Sequence, residues 1–393
     1  MTDDFDRLPE RLRDLMAMDY PRFSASEMQR RRRALEGVTR SAGVDHLLVC
    51  GFNRSGSGVQ FLTGWPVTNE AIVVLTPGRR DTLFVQYYNH LTQARRLAAA
   101  ADVRWGGEST ISSTIAEVDS RGGGRVGIVG PLGIGGYKAL AERYGEVPDL
   151  SGAYTRLRLV KSAEEIDWLR IGAALSDAGL KALAAGLRPG LSERDLADIV
   201  ERAYVKWGGV NLIHFFGVTQ MAAPQLCVPA QFHSTRQVAA GDVVFTEISA
   251  AFWDYPGQIL RTFAVGAEPP PLYRELHATA DAAFDAITGI LKHGATMEAA
   301  VAASGVIEEA GFTTCDDLIH GFGGGYFPPI LGSRSRPAGK LPDMVFEAGM
   351  TVVVQPNVVT RDGMAGVQTG ELLLITETRV ERLHAVERGF ARI

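Results

Sequence analysis

The feature that most limits how this chain can fold is a strong helix start at Ser162. Ser162 and Glu165 have the spacing of a capping box, in which each side chain accepts a hydrogen bond from the other residue's backbone N–H. A long amphipathic pattern follows and predicts a helix. The chain has 393 residues, too many for one ordinary domain and enough for two cores. We therefore predict two domains, residues 1–155 and 156–393, with a linker near Ser151.

The first part of the chain alternates helical and strand patterns from residue 24 to about 150, which is typical of an α/β domain. Short apolar runs predict its strands, at residues 46–50, 71–75, 82–85 and 125–129. The glycine-rich segment 130–136 follows the last run, but it lacks the spacing of a nucleotide-phosphate loop. We predict a turn there rather than a nucleotide site.

Composition excludes several classes of partner. The net charge of −5, with 46% hydrophobic and 22% charged residues, is typical of a globular protein and gives no reason to expect nucleic acid. No stretch approaches the roughly 18 apolar residues of a membrane span, and the first residues lack a signal-peptide pattern. We predict a cytoplasmic protein without a membrane partner. Its cysteines, Cys50, Cys227 and Cys315, form no CxxC pair and are predicted to stay reduced.

The second part carries several recognisable segments, at 161–169, 188–195, 241–266, 320–323 and 347–356. Together they resemble the creatinase, aminopeptidase P and prolidase family over nearly all of residues 160–380. The resemblance implies an α+β pita-bread fold for the C-terminal domain, in which two similar sheet-and-helix halves enclose a central site. It also implies an α/β N-terminal domain, a small-molecule substrate and a homodimer.

The metal-ligand positions of that family are mostly substituted in this sequence. Metal-dependent members bind two divalent ions with two aspartates, one histidine and two glutamates, and the matching residues here are Glu247, Gln258, His320, Gln355 and Gly370. An amide supplies no charge against two adjacent dications, so we expect no dinuclear centre and no other cofactor. A single ion held by Glu247, His320 and Glu371 is a less favoured alternative.

Glu247 and His320 are the candidate catalytic residues. A buried carboxylate that binds no metal has a pKa set by its neighbours, and it can act as a base or a nucleophile. His320 is its expected partner, which would protonate a leaving nitrogen or take a proton from water. Gln258 and Gln355 would orient a polar substrate as neutral donors and acceptors.

We expect a wider set of side chains to contact the substrate: Tyr255, Arg334, Phe327, Glu371, His233 and Trp65. Phe327 lies in a proline-rich stretch that resembles ectoine hydrolases, and Arg334 or Arg336 would hold a substrate carboxylate. His233 or His214 would replace a proton-transfer histidine that the peptidases have where this chain has Ala230.

Each of these residues also has a structural explanation that the sequence leaves open. The arginines would then be surface charges, and the histidines would be satisfied core residues. Trp65 belongs with Phe61 and Arg54 to a segment rich in glycine and serine, where aromatic residues commonly serve packing.

The substituted ligand set favours a metal-independent hydrolase of a C–N bond in a small metabolite. The resemblance to creatinase and ectoine hydrolases implies an amidine-, cyclic amide- or ureido-like substrate. Three alternatives stay open: a divergent metal-dependent Xaa-Pro peptidase, a binding protein without activity, and a lyase acting on a sulfonium or related compound. A fold alone does not decide among these reactions.

Overall fold

The computed structural model describes residues 3–53 and 57–393, which separate into two compact units. Residues Ala17–Arg158 form the N-terminal unit, and the other described residues form the C-terminal unit. Helix Asp3–Asp6 (α1) and nearly all of helix Glu10–Ala17 (α2) therefore belong with the C-terminal unit. The predicted division at residue 155 did not foresee this arrangement, to which an ion pair of 2.6 Å between Arg11 and Asp167 contributes.

A five-stranded sheet is the centre of the N-terminal unit. Its strands are His46–Phe52 (β1), Glu70–Leu75 (β2), Thr82–Val85 (β3), Asp102–Trp105 (β4) and Val126–Val129 (β5). They lie in the order β4-β3-β2-β1-β5, with β1 antiparallel to β2 and parallel to β5. Successive residues of β1 enter different apolar cores, since Leu47 packs in one cluster and Leu48 in another. This arrangement confirms the predicted α/β class.

Helices surround that sheet: Ala25–Ser41 (α3), Gly58–Thr63 (α4), Leu91–Leu97 (α5), Thr110–Ser120 (α6), Ile134–Tyr144 (α7) and Ser151–Leu159 (α8). Ser24 caps α3, because its side chain accepts a hydrogen bond from the Glu27 N–H. The linker predicted near Ser151 is wrong, since α8 begins at that residue.

The helices of the C-terminal unit after α2 are Ala163–Gly186 (α9), Glu193–Tyr204 (α10), Pro271–Ile290 (α11), Met297–Ala303 (α12) and Val306–Glu309 (α13). The predicted capping box opens α9, with N···O distances of 3.1 and 3.2 Å between Ser162 and Glu165. Gly172 lets α9 approach the sheet closely, because a Cβ there would lie 2.3 Å from the carbonyl oxygen of Tyr255. Among the described residues, no helix is both long and apolar enough to cross a bilayer.

The strands of this unit begin with Gly209–Gln220 (β6), Asp242–Phe252 (β7), Tyr255–Ala264 (β8), Thr313–Thr314 (β9), Ile319–Phe322 (β10) and Tyr326–Leu331 (β11). They continue with Thr351–Val354 (β12), Val358–Val359 (β13), Gly370–Ile375 (β14), Val380–Arg382 (β15) and Phe390–Arg392 (β16). The main sheet has the order β11-β10-β12-β14-β8-β7-β6, and its neighbours along that path are antiparallel. β9 and β13 form a separate ladder.

Candidate functional site

Strand register brings four of the predicted site residues together. Glu247 on β7 lies opposite Leu260 of β8, so Gln258, two residues before Leu260, projects from the same face as a diagonal neighbour of Glu247. His320 lies on β10, and Gln355 follows directly after β12, which is hydrogen-bonded to β10. β7 and β8 thus supply Glu247 and Gln258, whereas β10 and the end of β12 supply His320 and Gln355.

These four residues line one cavity of about 240 Å³. Its other polar lining residues are Gln231, Cys315, Asp316 and Tyr326. Its apolar wall consists of Ile213, Phe215, Val228 and Pro229. The volume suits a small molecule rather than a folded partner.

The amide of Gln258 connects two of the former ligand positions. Its Nε2 donates hydrogen bonds to Glu247 Oε1 at 2.9 Å and to Gln355 Oε1 at 3.0 Å. The Nε2 of Gln355 donates in turn to the carbonyl oxygen of Asp317 at 3.1 Å. Turning the Gln258 amide round would place its oxygen against the Gln355 amide oxygen, which can only accept, so the hydrogen bonds favour this orientation.

Glu247 is a buried carboxyl group without a cationic partner among the described residues. Burial, assisted by the negative charge of Asp316, raises its pKa to about 8. Burial also raises the pKa of Asp316, whose Oδ2 accepts a hydrogen bond of 3.2 Å from Asn357 Nδ2. Ionising both carboxyl groups of the cavity, Glu247 and Asp316, at the same time is therefore unfavourable.

His320 is enclosed by aromatic rings. Its imidazole stacks on Tyr326, with ring centroids 4.3 Å apart and planes inclined by 23°, and meets Phe322 edge-on. Burial lowers the pKa of His320 to about 4, so the ring is neutral at pH 7. The hydroxyl of Tyr326 donates to Asp317 Oδ2 and holds the stacked ring in place.

A two-metal centre does not fit these residues. Two of the four ligand positions hold amides, Gln258 and Gln355, which carry no negative charge to bind a cation. The Nε2 of Gln258 also donates a hydrogen bond to Glu247, so its hydrogens occupy the space beside that carboxyl. At the fifth position, a Cβ on Gly370 would lie 2.6 Å from the carbonyl oxygen of Val354. Within residues 3–53 and 57–393, no group of three His, Cys, Asp or Glu side chains has the arrangement of a metal site.

Glu371 does not reach the cavity, so its predicted contact with the substrate is wrong. It pairs in register with Ile259, which places it on the opposite face of the sheet from Glu247. There its Oε2 accepts hydrogen bonds of 3.0 Å from Arg261 and Arg382. The alternative of a single ion held partly by Glu371 fails for the same reason.

Tyr255 and Phe327 also lie away from the cavity, contrary to prediction. Tyr255 is buried, and its hydroxyl donates to Glu165 Oε1 at 2.8 Å. Phe327 alternates with Tyr326 along β11 and therefore turns its ring to the other side, where Lys161 Nζ lies 5.1 Å from the ring centroid.

Arg334 is an exposed residue, and its predicted contact with the substrate is wrong. Its Nη2 donates to the carbonyl oxygen of Ala302 at 3.0 Å. The charge of Arg336 acts on Asp316, which lines the cavity, and lowers the pKa of that carboxyl against the larger effect of burial.

The predicted histidines of this region have structural partners instead. His233 Nε2 lies 2.6 Å from the carbonyl oxygen of His214, and His214 Nε2 lies 2.6 Å from the hydroxyl of Tyr204. Burial lowers the pKa of His214 to about 4. His214 alternates along β6 with Phe215, which faces the cavity, so the His214 side chain points to the other side of the strand. His233 is also absent from the cavity lining.

Trp65 is a core residue of the N-terminal unit. It is 6% exposed, its ring centroid lies 5.8 Å from that of His90, and Phe61 belongs to the same core. The packing explanation therefore accounts for both aromatic residues. Arg54, the third residue of that prediction, lies outside the described residues.

Sequence reasoning missed Asp316, Gln231, Cys315 and Tyr326 as lining residues. Register would have identified Tyr326: it pairs with Phe322, which lies two residues from His320 on the same strand face. Gly323, Gly324 and Gly325 all have positive φ and form the turn of that hairpin. Asp316 lies outside any strand, and no periodic pattern indicated its position.

Comparison with known families decides which proteins this chain is related to. The model of metallopeptidase family M24 matches residues 167–377, more than half of the chain. The chain belongs to metallopeptidase family M24. It is thus a hydrolase of the class that cleaves carbon–nitrogen bonds, as predicted.

Individual relatives extend the match to nearly the whole chain. The uncharacterized peptidase YqhT of Bacillus subtilis is 26% identical over 349 residues, which cover 85% of this chain and 92% of YqhT. The probable dipeptidase PepE of Mycobacterium tuberculosis is 28% identical over 61% of this chain and 62% of its own length. An Xaa-Pro dipeptidase structure from Bacillus anthracis superposes with a TM-score of 0.79 at 22% identity, covering 93% of this chain and all of that one. That likeness confirms the pita-bread fold.

Proposed function

We propose that this M24 member hydrolyses a C–N bond of a small cationic substrate without the two-metal centre of its family. Glu247 carries the proposal, since it is a buried carboxyl whose hydrogen-bond donor is an amide where a metal-binding member has a second carboxylate. An amidinium or ammonium group entering the cavity would pair with Glu247 and Asp316 and relieve their repulsion. Amidine-like substrates satisfy this requirement best among the classes expected from the sequence.

The roles of these residues in the reaction follow from their charge states before a substrate binds. Glu247, with a pKa of about 8, holds its proton at pH 7 and would release it when a cation binds. Neutral His320 would accept a proton from the water that attacks the substrate carbon, and would pass it to the nitrogen as the C–N bond breaks. Gln258 and Gln355 would hold the substrate through neutral hydrogen bonds.

A second candidate is an Xaa-Pro dipeptidase or related peptidase, and the similarity to a probable dipeptidase and to an Xaa-Pro dipeptidase favours it over a small-metabolite hydrolase. A dipeptide would also bring a cationic ammonium group into the cavity. The substituted ligand positions count against the metal-dependent route of such enzymes, because Gln258 and Gln355 supply no negative charge. The closeness to creatinase and ectoine hydrolases remains a prediction.

A substrate screen tests the proposal. Amidines, cyclic amides, ureido acids and proline dipeptides would each be tested by thermal shift and turnover, once with a chelator and once with added manganese or zinc. We expect an amidine or other cation to raise Tm and to be hydrolysed in chelator, with proton release on binding. Turnover of proline dipeptides alone, and only with added metal, would make Glu247 and His320 metal ligands and end the proposal.

The assembly expected from the family resemblance is a homodimer with two-fold symmetry. Light scattering of the purified chain at micromolar concentration tests it. A mass near 85 kDa, twice the 42.4 kDa of the chain, is the expected result, and the monomer mass would contradict it.

A further inference from the structure

Two cysteines that the sequence separates by 88 residues meet beside the cavity. The sulfur atoms of Cys227 and Cys315 lie 4.0 Å apart, and both residues are partly exposed. A disulfide needs a sulfur–sulfur distance of about 2.05 Å, so the two atoms must approach by roughly 2 Å. Rotation of the side chains can supply a movement of this size more easily than a backbone shift can.

The backbone positions of this pair are fixed by a small ladder. Cys315 directly follows β9, and β9 pairs with β13 through Thr314 and Val358. The neighbouring residue Val359 bridges to Gly366, and a Cβ on Gly366 would lie only 2.2 Å from the carbonyl oxygen of Cys227. The cysteines therefore flank the same ladder, and their proximity does not depend on a free loop end.

The two thiols differ in reactivity from each other and from the third cysteine. The hydrogen bond from Cys315 lowers the pKa of Cys227 to about 7, and the same contact, with burial, raises the pKa of Cys315. Cys50 is fully buried in the N-terminal unit, and burial raises its pKa to about 12. Since the thiolate is the nucleophile, Cys227 is the thiol that reacts first.

We propose that Cys227 and Cys315 form an oxidation site in which a peroxide converts the two thiols to an intramolecular disulfide. The Cys227 thiolate attacks one peroxide oxygen, the O–O bond breaks, and a sulfenic acid and hydroxide form. The Cys315 thiol then attacks the sulfenic sulfur, the S–S bond forms, and water leaves with the thiol proton. The peroxide gains the two electrons that the two thiols lose.

The disulfide would join two segments of the cavity wall. Cys315 itself lines the cavity and precedes Asp316, while Cys227 precedes Val228 and Pro229 on the other segment. Oxidation would thus fix the spacing of walls that a substrate must enter between. The oxidation proposal rests on the two thiols alone, so its tests do not depend on the function proposed above.

Treatment of the full-length native protein with hydrogen peroxide tests the proposal. Thiols counted after denaturation should fall from three to one, because the chain has three cysteines and Cys50 stays reduced. Peptide mass analysis without reductant should find the peptides of Cys227 and Cys315 joined with the loss of two hydrogens, and dithiothreitol should reverse it. Oxidation of Cys227 to sulfinic acid, or a link between two chains, would overturn the proposal.

Variants separate the steps. In Cys315→Ser, the Cys227 sulfenic acid has no resolving thiol and should be trapped by dimedone, whereas Cys50→Ser should form the 227–315 link as the parent does. If Cys315→Ser fails to fold, the parent gives the same information: brief iodoacetamide treatment at pH 7 should label Cys227 ahead of Cys315 and block the link. Equal labelling of all three cysteines would contradict the proposed order.

Discussion

Two buried glutamates on the same sheet, Glu247 and Glu371, have opposite surroundings. Glu371 is fully buried, and Arg261 and Arg382 both pair with it. Burial alone would favour its protonated form, but the hydrogen bond from Arg382 and the nearby positive charges outweigh burial and keep its pKa below the usual value. Glu247 has an amide for a partner and an acid for a neighbour, and its pKa rises.

The difference separates a structural charge from a reactive one. A buried carboxylate paired with cations stabilises the fold, and removing one partner is destabilising because the others remain as unpaired buried charges. A buried carboxylate that lacks a cation is costly to keep, and such groups concentrate at functional sites. The pairing register of β8 and β14 places Glu371 on the face of the sheet opposite the cavity. Glu371 is therefore the structural carboxylate, and Glu247 is the reactive one.

The largest expected effect is on the reaction rate. His320→Asn should lower kcat/KM by about 100- to 10,000-fold, the usual contribution of a proton-transferring group. Glu247→Gln should lower it by a similar factor, because the substrate cation loses its counter-charge in a buried cavity. The double variant should lose little more than either single one, because members of one catalytic unit fail together. Steady-state rates on the substrate found by the screen give the values.

Circular dichroism and thermal unfolding must accompany those rates, since a misfolded variant would also be inactive. Folded variants that retain more than a tenth of the parent rate would show that Glu247 and His320 do not form the catalytic pair. Glu247 would then be a buried carboxyl group without a role in the reaction.

The second effect is on stability. Glu371→Gln should lower the free energy of unfolding by about 3–5 kcal/mol, because it leaves the buried Arg261 without its charge partner. Urea unfolding measures the change. Asp198→Asn is the matched control: it breaks an exposed pair with Arg202 and should cost under about 1 kcal/mol. Equal losses in the two variants would contradict the structural role of Glu371.

The third effect has the opposite sign and depends on pH. The pKa of Glu247 is about 8 in the folded chain against an ordinary value of 4.5, so the folded state alone keeps this proton between those values. Stability of the parent should therefore fall as pH rises from about 4.5 to 8, and Glu247→Gln should avoid that loss. The variant should be more stable by on the order of a few kcal/mol at pH 8, and by almost nothing at pH 4.

Urea unfolding of both proteins across this range measures the difference. His320, whose folded pKa of about 4 lies below its ordinary 6.5, should destabilise both proteins as pH falls through that interval, so its effect cancels in the comparison. A constant difference between parent and variant at every pH would refute the raised pKa of Glu247.

Local sequence signals predicted the start of α9, because the capping box at Ser162 acts within a few residues. The family resemblance, rather than a local pattern, singled out Glu247, Gln258, His320 and Gln355, and these four residues line one cavity. Their catalytic and substrate-binding roles stay predictions.

The failures involve contacts between distant segments. Arg261 and Arg382 are 121 residues apart in sequence and both pair with Glu371, so no local pattern could show that this carboxylate was paired twice. Cys227 and Cys315 came together in the same way. Tyr255 was predicted to contact the substrate, but its hydroxyl donates instead to Glu165 on α9.

The smallest expected effect concerns Arg334, which sequence reasoning placed at the substrate. Its side chain is exposed and bonds only the carbonyl oxygen of Ala302 in the described part of the chain, so Arg334→Ala should change the free energy of unfolding by less than about 0.5 kcal/mol. It should also leave kcat/KM within about twofold, because a residue outside the cavity contributes nothing specific to the transition state. Arg336→Ala is the informative companion, since that charge acts on Asp316 and its loss should raise the pKa of this carboxyl further. A selective rise in KM for Arg334→Ala, with Arg336→Ala unchanged, would restore Arg334 as a substrate contact and show that the loop moves when the substrate binds.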